Sequence, residues 1–164
     1  MSTASKQAEV LAILSEIEKT VSTNHDNVKT EIQKDGEIDE VQLDSASLST
    51  AKLQSRYSTW YTDEYLQLAD LKVTQKRYKL ERWKYYAGKQ TSKYYADYGP
   101  MHEEIIKSDI DKYLDADPIM IAVNKIVDIQ TMIVSMLDKF AKDLNGRNYQ
   151  IRTALDYRKF VSGV

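Results

Sequence analysis

With 164 residues and a formal net charge of −2, the chain has room for one domain, and its overall charge identifies no strongly charged partner. A hydrophobic content of 42% excludes a wholly disordered chain, and 29% charged residues fit a soluble, helix-rich protein. Five glycines and two prolines provide few turns, which argues against a β-sandwich or barrel, and the absence of cysteine excludes disulfides and thiolate metal sites.

The first predicted element is a short amphipathic helix within residues 1–21. Its apolar side chains recur at helical spacing. They are Val10, Leu11, Ile13, Leu14, Ile17 and Val21. No apolar core follows a basic start here, so we expect no secretory signal. A polar linker, 22–27, is predicted to lead to a weaker helix over 27–34 that ends at Gly36, and the acidic stretch 37–44 is predicted to form a loop.

A long helix is predicted to start at Asp44 or Ser45. Apolar and aromatic side chains recur there at three- or four-residue steps, and neither glycine nor proline interrupts the chain before Gly88. The recurring residues are Leu53, Tyr57, Trp60, Tyr61, Leu68 and Leu71. A helix of roughly forty residues is unusual in a small domain and suggests a partner chain or a bundle. The stretch 91–100 is predicted to be an irregular aromatic loop.

The polar stretch 101–117 has few residues that a core could bury. The candidates are Ile105, Ile106, Ile110, Tyr113 and Leu114. Asp117-Pro118 then predicts a helix start, because aspartate is a preferred cap and proline fits the first helical position.

The helix predicted over 118–144 is the most apolar in the chain. Its apolar residues follow a heptad seam with one polar position, Gln130. The seam consists of Ile119, Val123, Ile126, Ile133, Leu137, Phe140 and Leu144. A second apolar stripe around Ile129 covers another face. One neighbour within the chain cannot bury both stripes, which favours self-association. A central core helix is an equally good interpretation of the pattern.

Gly146 is predicted to close this helix, and Asn148 to cap a last helix that runs to Gly163. A short link between two apolar helices makes them antiparallel neighbours. The expected fold is therefore all-α, with long helices and a C-terminal helical hairpin that drives self-association, to which Ile151 and Leu155 of the last helix contribute. No run of about 18 uncharged apolar residues occurs, so no membrane span is expected.

Positive charge is concentrated in residues 72–93, where eight side chains are basic and only Glu81 is acidic. The basic residues are Lys72, Lys76, Arg77, Lys79, Arg82, Lys84, Lys89 and Lys93. Residues 1–71 hold thirteen acidic and six basic side chains. Such concentration focuses an electrostatic field, so the segment 72–93 is a candidate anion site.

Aromatic residues lie between these cations, and the combination suits single-stranded nucleic acid. Phosphates pair with the charges while unstacked bases lie on the rings. If the segment is helical, Lys72, Lys76, Lys79, Trp83 and Tyr86 share one stripe. The candidate nucleic-acid-binding residues are Lys72, Lys76, Arg77, Lys79, Arg82, Trp83, Lys84, Tyr85, Tyr86 and Lys89.

Three other interpretations of the basic segment stand beside this one. It could be a solvated helix face with its aromatic rings in the core. It could contact an acidic protein partner in a helical scaffold protein. It could also lie on an anionic membrane surface, although the segment has few aliphatic residues to enter the acyl region.

The sequence gives little support to catalysis. Its two histidines are His25, in a polar stretch, and His102, whose neighbours Glu103 and Glu104 lack the second histidine of a zinc-protease helix. The carboxylates follow surface spacing, without the long apolar context that raises a pKa. We therefore expect no enzyme activity, no cofactor and no metal.

Three stretches resemble the UvsY family, the recombination mediators of T4-like bacteriophages: 31–39, 82–88 and 151–163. The likeness extends in order over about 27–164. The family's marker is a pair of basic residues two apart, followed after two positions by Tyr-Tyr-x-Gly. Arg82 takes the second basic position and Tyr85, Tyr86 and Gly88 the tail, whereas Leu80 occupies the first basic position and Lys79 lies one residue earlier.

This resemblance implies a non-enzymatic, all-helical protein. It also implies a ring-like homo-oligomer, a hexamer or heptamer, formed through the C-terminal helices. Such a protein binds single-stranded DNA and helps a phage RecA-like recombinase replace the phage single-strand DNA-binding protein during homologous recombination and repair. Its expected location is the cytoplasm of the infected bacterial host. Residues 1–26 are then an N-terminal extension, and 27–164 one recombination-mediator domain.

Overall fold

The structure is a computed structural model and describes residues 4–38, 43–101 and 104–163. Within these ranges every regular element is helical, so the predicted all-α class is confirmed. The elements in chain order are α1 (Ala4–Gly36), α2 (Leu43–Tyr86), α3 (Ser92–Tyr98), a 3-10 turn (Lys107–Asp109), α4 (Ile110–Asp115) and α5 (Pro118–Ser162).

Helix α1 is continuous from Ala4 to Gly36, so the predicted break at 22–27 is wrong. That stretch is polar but contains neither glycine nor proline to interrupt a helix. The hydroxyl of Thr23 donates to the carbonyl of Lys19 within the helix, at 2.9 Å. Val28, one turn further on, is fully buried. The predicted end at Gly36 is confirmed.

Helix α2 covers 44 residues, which confirms the predicted long helix. It begins at Leu43, and most of the predicted acidic loop, 39–42, lies outside the described residues. Its stop is also confirmed: two residues after Tyr86, Gly88 has a φ of +69°. Glycine adopts this left-handed conformation without the clash that a Cβ causes.

The predicted irregular loop at 91–100 is wrong over most of its length, because Ser92–Tyr98 form α3. The side chain of Thr91 accepts a hydrogen bond from the backbone N–H of Tyr94, at 3.3 Å, and so caps the helix. Thr91 is therefore the local signal in the sequence that indicates a helix start here.

Helix α5 starts as predicted. Asp117 Oδ1 accepts hydrogen bonds from the backbone N–H groups of Ile119 (2.9 Å) and Met120 (3.0 Å). The predicted hairpin is wrong, because α5 continues without a break through Gly146 to Ser162. A mid-helix glycine costs about 1 kcal/mol relative to alanine, which neighbouring contacts can offset.

Arg147 provides such a contact directly after Gly146. Its guanidinium donates hydrogen bonds to the carbonyls of Asp35 (2.5 Å) and Glu37 (3.0 Å) at the end of α1. These carbonyls have no partner within α1, so the arginine satisfies them and holds α5 in helical form at this point.

The chain divides into two compact units, and each long helix contributes to both. The first unit comprises Met1–Thr23 and Gln67–Gln130. In its larger core cluster, Leu14 of α1 packs with Ile119, Val123 and Ile126 of α5. A second cluster joins Ile110, Leu114 and Met120. Two of the predicted core residues of 101–117, Ile106 (70%) and Tyr113 (41%), are instead exposed.

The second unit comprises Asn24–Leu66 and Thr131–Val164. Its core includes the fully buried Tyr57, whose ring packs edge-on against Phe140 with centroids 4.6 Å apart. The Tyr57 hydroxyl donates to Asp35, at 3.0 Å. Near the end of α5, Ile151 packs against Leu43.

The heptad seam of α5 lies in the cores of these units and not on a free surface. All seven seam residues and Ile151 are buried within the chain, and Leu155 is half-buried. The core-helix interpretation of the pattern is the one that the structure shows. Residues near the far end of α5, including Tyr157, Phe160 and Val161, are exposed.

Among the described helices, α5 is the one that is long and apolar enough to cross a membrane by length and composition, and 44% of its most apolar stretch is buried in the protein. The core helix of a globular protein satisfies the same two criteria. The predicted absence of a membrane partner stays a prediction.

Candidate nucleic-acid interface

Seven of the eight cations in the segment 72–93 are exposed. They are Lys72, Lys76, Arg77, Lys79, Lys84, Lys89 and Lys93. Among the described residues, none of the seven has an ion-pair partner. Their charges are therefore available to an anion without the loss of an internal ion pair.

The cations of α2 occupy two faces of the helix. At about 100° per residue, Lys72, Lys76 and Lys79 lie along one line, and Arg77 and Lys84 lie along another, more than 90° away. Lys76 and Lys79 border a cavity of about 190 Å³ that is also lined by Asn124. The first line, Lys72, Lys76 and Lys79, is named the lysine stripe here.

Arg82, the eighth cation, is only 3% exposed, so this conformation does not offer it to a nucleic-acid strand. Its Nε donates to Asp117 Oδ2 at 2.7 Å, and its Nη2 lies 2.6 Å from the same oxygen. A buried charge requires such a partner, because desolvation of an unpaired ion is costly. The sequence interpretation of Arg82 as a phosphate ligand does not fit this placement.

Tyrosine rings enclose the rest of the Arg82 guanidinium. Its Cζ lies 4.4 Å from the ring centroid of Tyr85, 5.4 Å from that of Tyr86 and 5.7 Å from that of Tyr98. Burial lowers the pKa of Arg82, but the hydroxyl of Tyr94 and the carboxylate of Asp117 outweigh it, so the pKa is raised above its ordinary value. Arg82 is therefore permanently charged and fixed in place.

Tyr85 and Tyr86, two further candidates, are half-buried in the same cluster. The hydroxyl of Tyr86 donates to Asp117 Oδ2 at 2.7 Å. Burial, followed by this hydrogen bond, raises the pKa of Tyr86 to about 12. The carbonyl of Tyr85 accepts from the hydroxyl of Tyr95, at 3.0 Å. These contacts tie the end of α2 to the loop around α3 and to the start of α5.

Trp83 is the one aromatic candidate that accompanies an exposed cation. It is half-buried against the cluster of Ile110, Leu114 and Met120. The ammonium of Lys89 lies 5.2 Å from the centroid of its ring. The indole therefore has one side in the core and a charged group over its ring.

Sequence reasoning missed the double role of Asp117. One oxygen caps α5 and the other binds Arg82 and Tyr86. The cap was readable from Asp117-Pro118, but no local signal links this residue to an arginine 35 positions earlier. Arg82, Tyr86 and Asp117 are together named the Arg82 cluster here.

No group of three or more metal-ligating side chains occurs among the described residues, and His102 and Glu103 lie outside them. The expectations of no cofactor and no enzyme activity stay predictions. The fold and site define an all-α protein that presents a row of unpaired lysines beside a rigid aromatic cluster. That combination is typical of a protein that binds single-stranded nucleic acid.

A family model described as "Recombination, repair and ssDNA binding protein UvsY" matches residues 31–164, and the chain belongs to this family. The resemblance inferred from the sequence is thereby confirmed, and so is the general function in recombination, repair and single-stranded DNA binding. No curated protein and no solved structure matches the chain significantly. Residues 4–30 of α1 precede the matched region.

Proposed function

We propose that the chain is a recombination mediator that binds single-stranded DNA through the lysine stripe and through the cations that follow it. As a homo-oligomer it promotes the loading of a RecA-like recombinase in place of a single-strand DNA-binding protein. It acts without enzymatic chemistry, in the cytoplasm of the infected bacterial host. The recombinase and the single-strand binding protein, as partners, rest on family membership alone.

The observation that carries the DNA site is the set of seven exposed cations without an ion-pair partner among the described residues. Some lysines elsewhere in the chain do have such partners: Lys19 lies 2.7 Å from Glu16, and Lys142 lies 2.6 Å from Asp138. A phosphate that approaches the lysine stripe displaces counterions and not protein carboxylates, which favours binding.

The Arg82 cluster has a supporting role in this proposal. It fixes the end of α2, so the stripe and Lys89 are held on a rigid support. Trp83 provides an aromatic surface beside Lys89, on which a base can stack if the lysine moves aside. The Tyr-Tyr-x-Gly tail of residues 85–88 then serves the site by fixing the position of the cations and not by contacting the strand.

Several copies are needed for useful affinity. A few phosphate contacts bind weakly and are sensitive to salt. Linked copies raise the effective concentration of the next site, so a strand held by one subunit meets its neighbour at little further entropic cost. The exposed Tyr157, Phe160 and Val161 near the end of α5 support self-association at that end. A strand wrapped on a ring can be bent or stretched, which loosens a competing protein.

The test compares two triple-alanine variants with the same charge change. The first removes Lys72, Lys76 and Lys79. The control removes Lys19, Lys112 and Lys142, which are exposed but each paired with a carboxylate. Binding of a labelled single strand is followed by fluorescence anisotropy between 50 and 200 mM salt, roughly the range over which phosphate contacts dominate.

The stripe variant is expected to bind about tenfold more weakly at low salt, and its log–log salt slope to fall by about 2, because each single-strand phosphate contact contributes about 0.7. The control is expected to behave as the unaltered chain. Equal effects of the two variants would show a net-charge effect and refute the site. Equal binding of heparin and single-stranded DNA by the unaltered chain would favour the scaffold interpretation with an acidic partner.

A further inference from the structure

The cavity of about 190 Å³ beside the lysine stripe has a chemistry that phosphate contacts do not explain. It is lined by residues of α2, α4 and α5, and all of them belong to the first compact unit. Lys76 and Lys79 line its α2 side. The cavity is smaller than the sites of roughly 300–1,000 Å³ that enclose drug-sized ligands, so its size suits one planar ring and not a whole nucleotide.

Part of the cavity surface is apolar. Leu114 of α4 and Met120 of α5 line it, and they are only 3% and 4% exposed. Both belong to the core cluster that they form with Ile110. An anion would lose hydration along such a surface, whereas an uncharged ring would bury apolar area against it. The apolar surface therefore favours a ring over a phosphate.

Asp115 adds a negative charge to the same cavity. The residue is exposed and has no ion-pair partner among the described residues, although Lys76 and Lys79 line the cavity with it. A carboxylate repels a phosphate but accepts hydrogen bonds from an amino group. In nucleic-acid recognition, aspartate and glutamate accept from the amino group of cytosine.

Two amide side chains provide the other polar groups of the cavity. Gln75 Nε2 donates to Asn124 Oδ1 at 2.8 Å, which ties α2 to α5. This bond leaves Gln75 Oε1 and Asn124 Nδ2 without a partner among the described residues, and neither atom is buried. The first is an acceptor and the second a donor. Donors and acceptors beside an apolar surface are what the edge and face of a base require.

We propose that this cavity binds one base of the strand whose phosphates lie on the lysine stripe, and that it selects a base with an exocyclic amino group, cytosine or adenine. The ring lies against Leu114 and Met120. Its amino group donates to Asp115, and the neighbouring ring nitrogen accepts from Asn124. Uracil and thymine have a carbonyl oxygen in place of that amino group, which sets an acceptor against the carboxylate. The proposal rests on the proposed strand site and adds a base preference to it.

Strands of deoxycytidine and of deoxyuridine are the matched probes. The two bases have rings of the same size and differ in the amino or carbonyl group and in the hydrogen on the neighbouring ring nitrogen. Labelled strands of about twelve nucleotides, a length typical of single-strand sites, are followed by fluorescence anisotropy at one salt concentration. The unaltered chain is expected to bind the deoxycytidine strand at least about fivefold more tightly, the lower end of what one good base contact gives. Equal affinities would overturn the proposal.

Asp115→Ala and Asp111→Ala are matched variants. Both aspartates are exposed, lie on α4 and have no ion-pair partner among the described residues, so the change in charge is the same. Asp115 lines the cavity, and Asp111 is not one of its lining residues. Asp115→Ala is expected to bring the ratio of the two affinities close to one, and Asp111→Ala to keep it. An unchanged ratio in Asp115→Ala, or an equal fall in both variants, would overturn the proposal.

Asn124→Asp tests the donor to the ring nitrogen. An oxygen at this position can still accept from Gln75, but the donor is replaced by an acceptor. The added charge weakens binding of both strands alike, so the ratio of the affinities is the readout. It is expected to fall to about one or below, because the ring nitrogen of cytosine is an acceptor and that of uracil carries a hydrogen. A ratio that stays at the value of the unaltered chain would contradict the proposed orientation of the base.

Failure of this proposal can be told apart from failure of the proposed function. The triple-alanine variant of the lysine stripe is measured with both strands. If it binds both more weakly while the unaltered chain shows no base preference, the base site is overturned and the strand site stands. If it binds both as tightly as the unaltered chain does, the strand site is overturned, and the base site with it.

Discussion

The basic segment 72–93 contributes to two regions that have opposite structural roles. The lysine stripe is exposed and has no ion-pair partner among the described residues. The Arg82 cluster is buried, and its cation is bound by a carboxylate and enclosed by tyrosine rings. Both regions take their cations from the same run of basic and aromatic residues in the sequence. The difference teaches that charge density marks a candidate site, whereas burial decides which of its charges can meet a ligand.

The largest effect is expected from Asp117→Ala, which breaks the Arg82 cluster. The change leaves the buried guanidinium without its counter-charge and removes the cap of α5. Loss of one partner of a buried ion pair costs about 3–5 kcal/mol, and loss of a cap costs about 1 kcal/mol more. Urea unfolding followed by circular dichroism measures the change.

The matched control for this experiment is Asp109→Ala. Asp109 also pairs with a cation, Lys112 at 2.8 Å, but the lysine side chain is largely exposed. An exposed pair contributes at most about 1 kcal/mol, so this variant is expected to unfold almost as the unaltered chain does. If the two variants were equally stable, the contrast between a buried and an exposed cation would have no energetic basis.

A smaller effect is expected from Tyr86→Phe, which removes the hydroxyl that donates to Asp117. A hydrogen bond to a charged group contributes roughly 1.5–3 kcal/mol at neutral pH. Arg82 still neutralises the carboxylate, so the loss is expected to be smaller than that of Asp117→Ala.

The pH dependence of the same variant provides a second measurement. The pKa of Tyr86 in the folded state is raised from 10 to about 12 by burial and by the hydrogen bond to Asp117. The folded state therefore holds this proton more tightly than the unfolded state does. The contribution of the Tyr86 proton to the free energy of unfolding is complete below pH 10 and is lost as pH rises through 12. The stability difference from Tyr86→Phe is expected to shrink over that interval, and a constant difference would argue against the raised pKa.

Much of the fold was predictable because its signals are local. Asp117-Pro118 gave the start of α5, Gly88 the stop of α2, and the absence of breakers the length of α2. The errors arose where distant contacts decided the outcome. Gly146 predicted a helix end, but the bonds from Arg147 to the end of α1 hold the helix through it.

The candidate site was predictable to the same extent. The excess of cations in 72–93 marks the candidate segment, and seven of the eight are exposed. Which of the eight would be buried depended on Asp117, far away in sequence, and no periodicity in 72–93 could identify that partner. The seam of α5 shows the same limit, since apolar heptads fit a core as well as an interface.

Two glycines with different backbone conformations provide a further pair of variants. Gly88→Ala places a Cβ at a φ of +69°, although no atom lies within 4 Å of it. The backbone conformation alone is expected to cost about 1 kcal/mol. Gly146→Ala also meets nothing within 4 Å but lies within α5, so it is expected to stabilise the chain by about 1 kcal/mol. Thermal unfolding measures the change in stability of both variants. If alanine stabilised the chain at both positions, or destabilised it at both, one of the two backbone conformations would be contradicted.

The smallest effect on stability is expected from the exposed region. Alanine at Lys72, Lys76 and Lys79 removes three charges that have no ion-pair partner among the described residues, and alanine is a good helix former. The free energy of unfolding is therefore expected to change by less than about 1 kcal/mol, while single-strand binding weakens. The decisive quantity is the loss of single-strand affinity, measured by anisotropy, relative to the loss of unfolding free energy, measured by urea unfolding, in the same variant. Asp117→Ala is expected to show the reverse ratio, because its main effect is on packing and it keeps all three charges of the stripe on α2. A stripe variant that lost several kcal/mol would show that these lysines support the fold, and its weaker binding could then no longer be assigned to lost phosphate contacts.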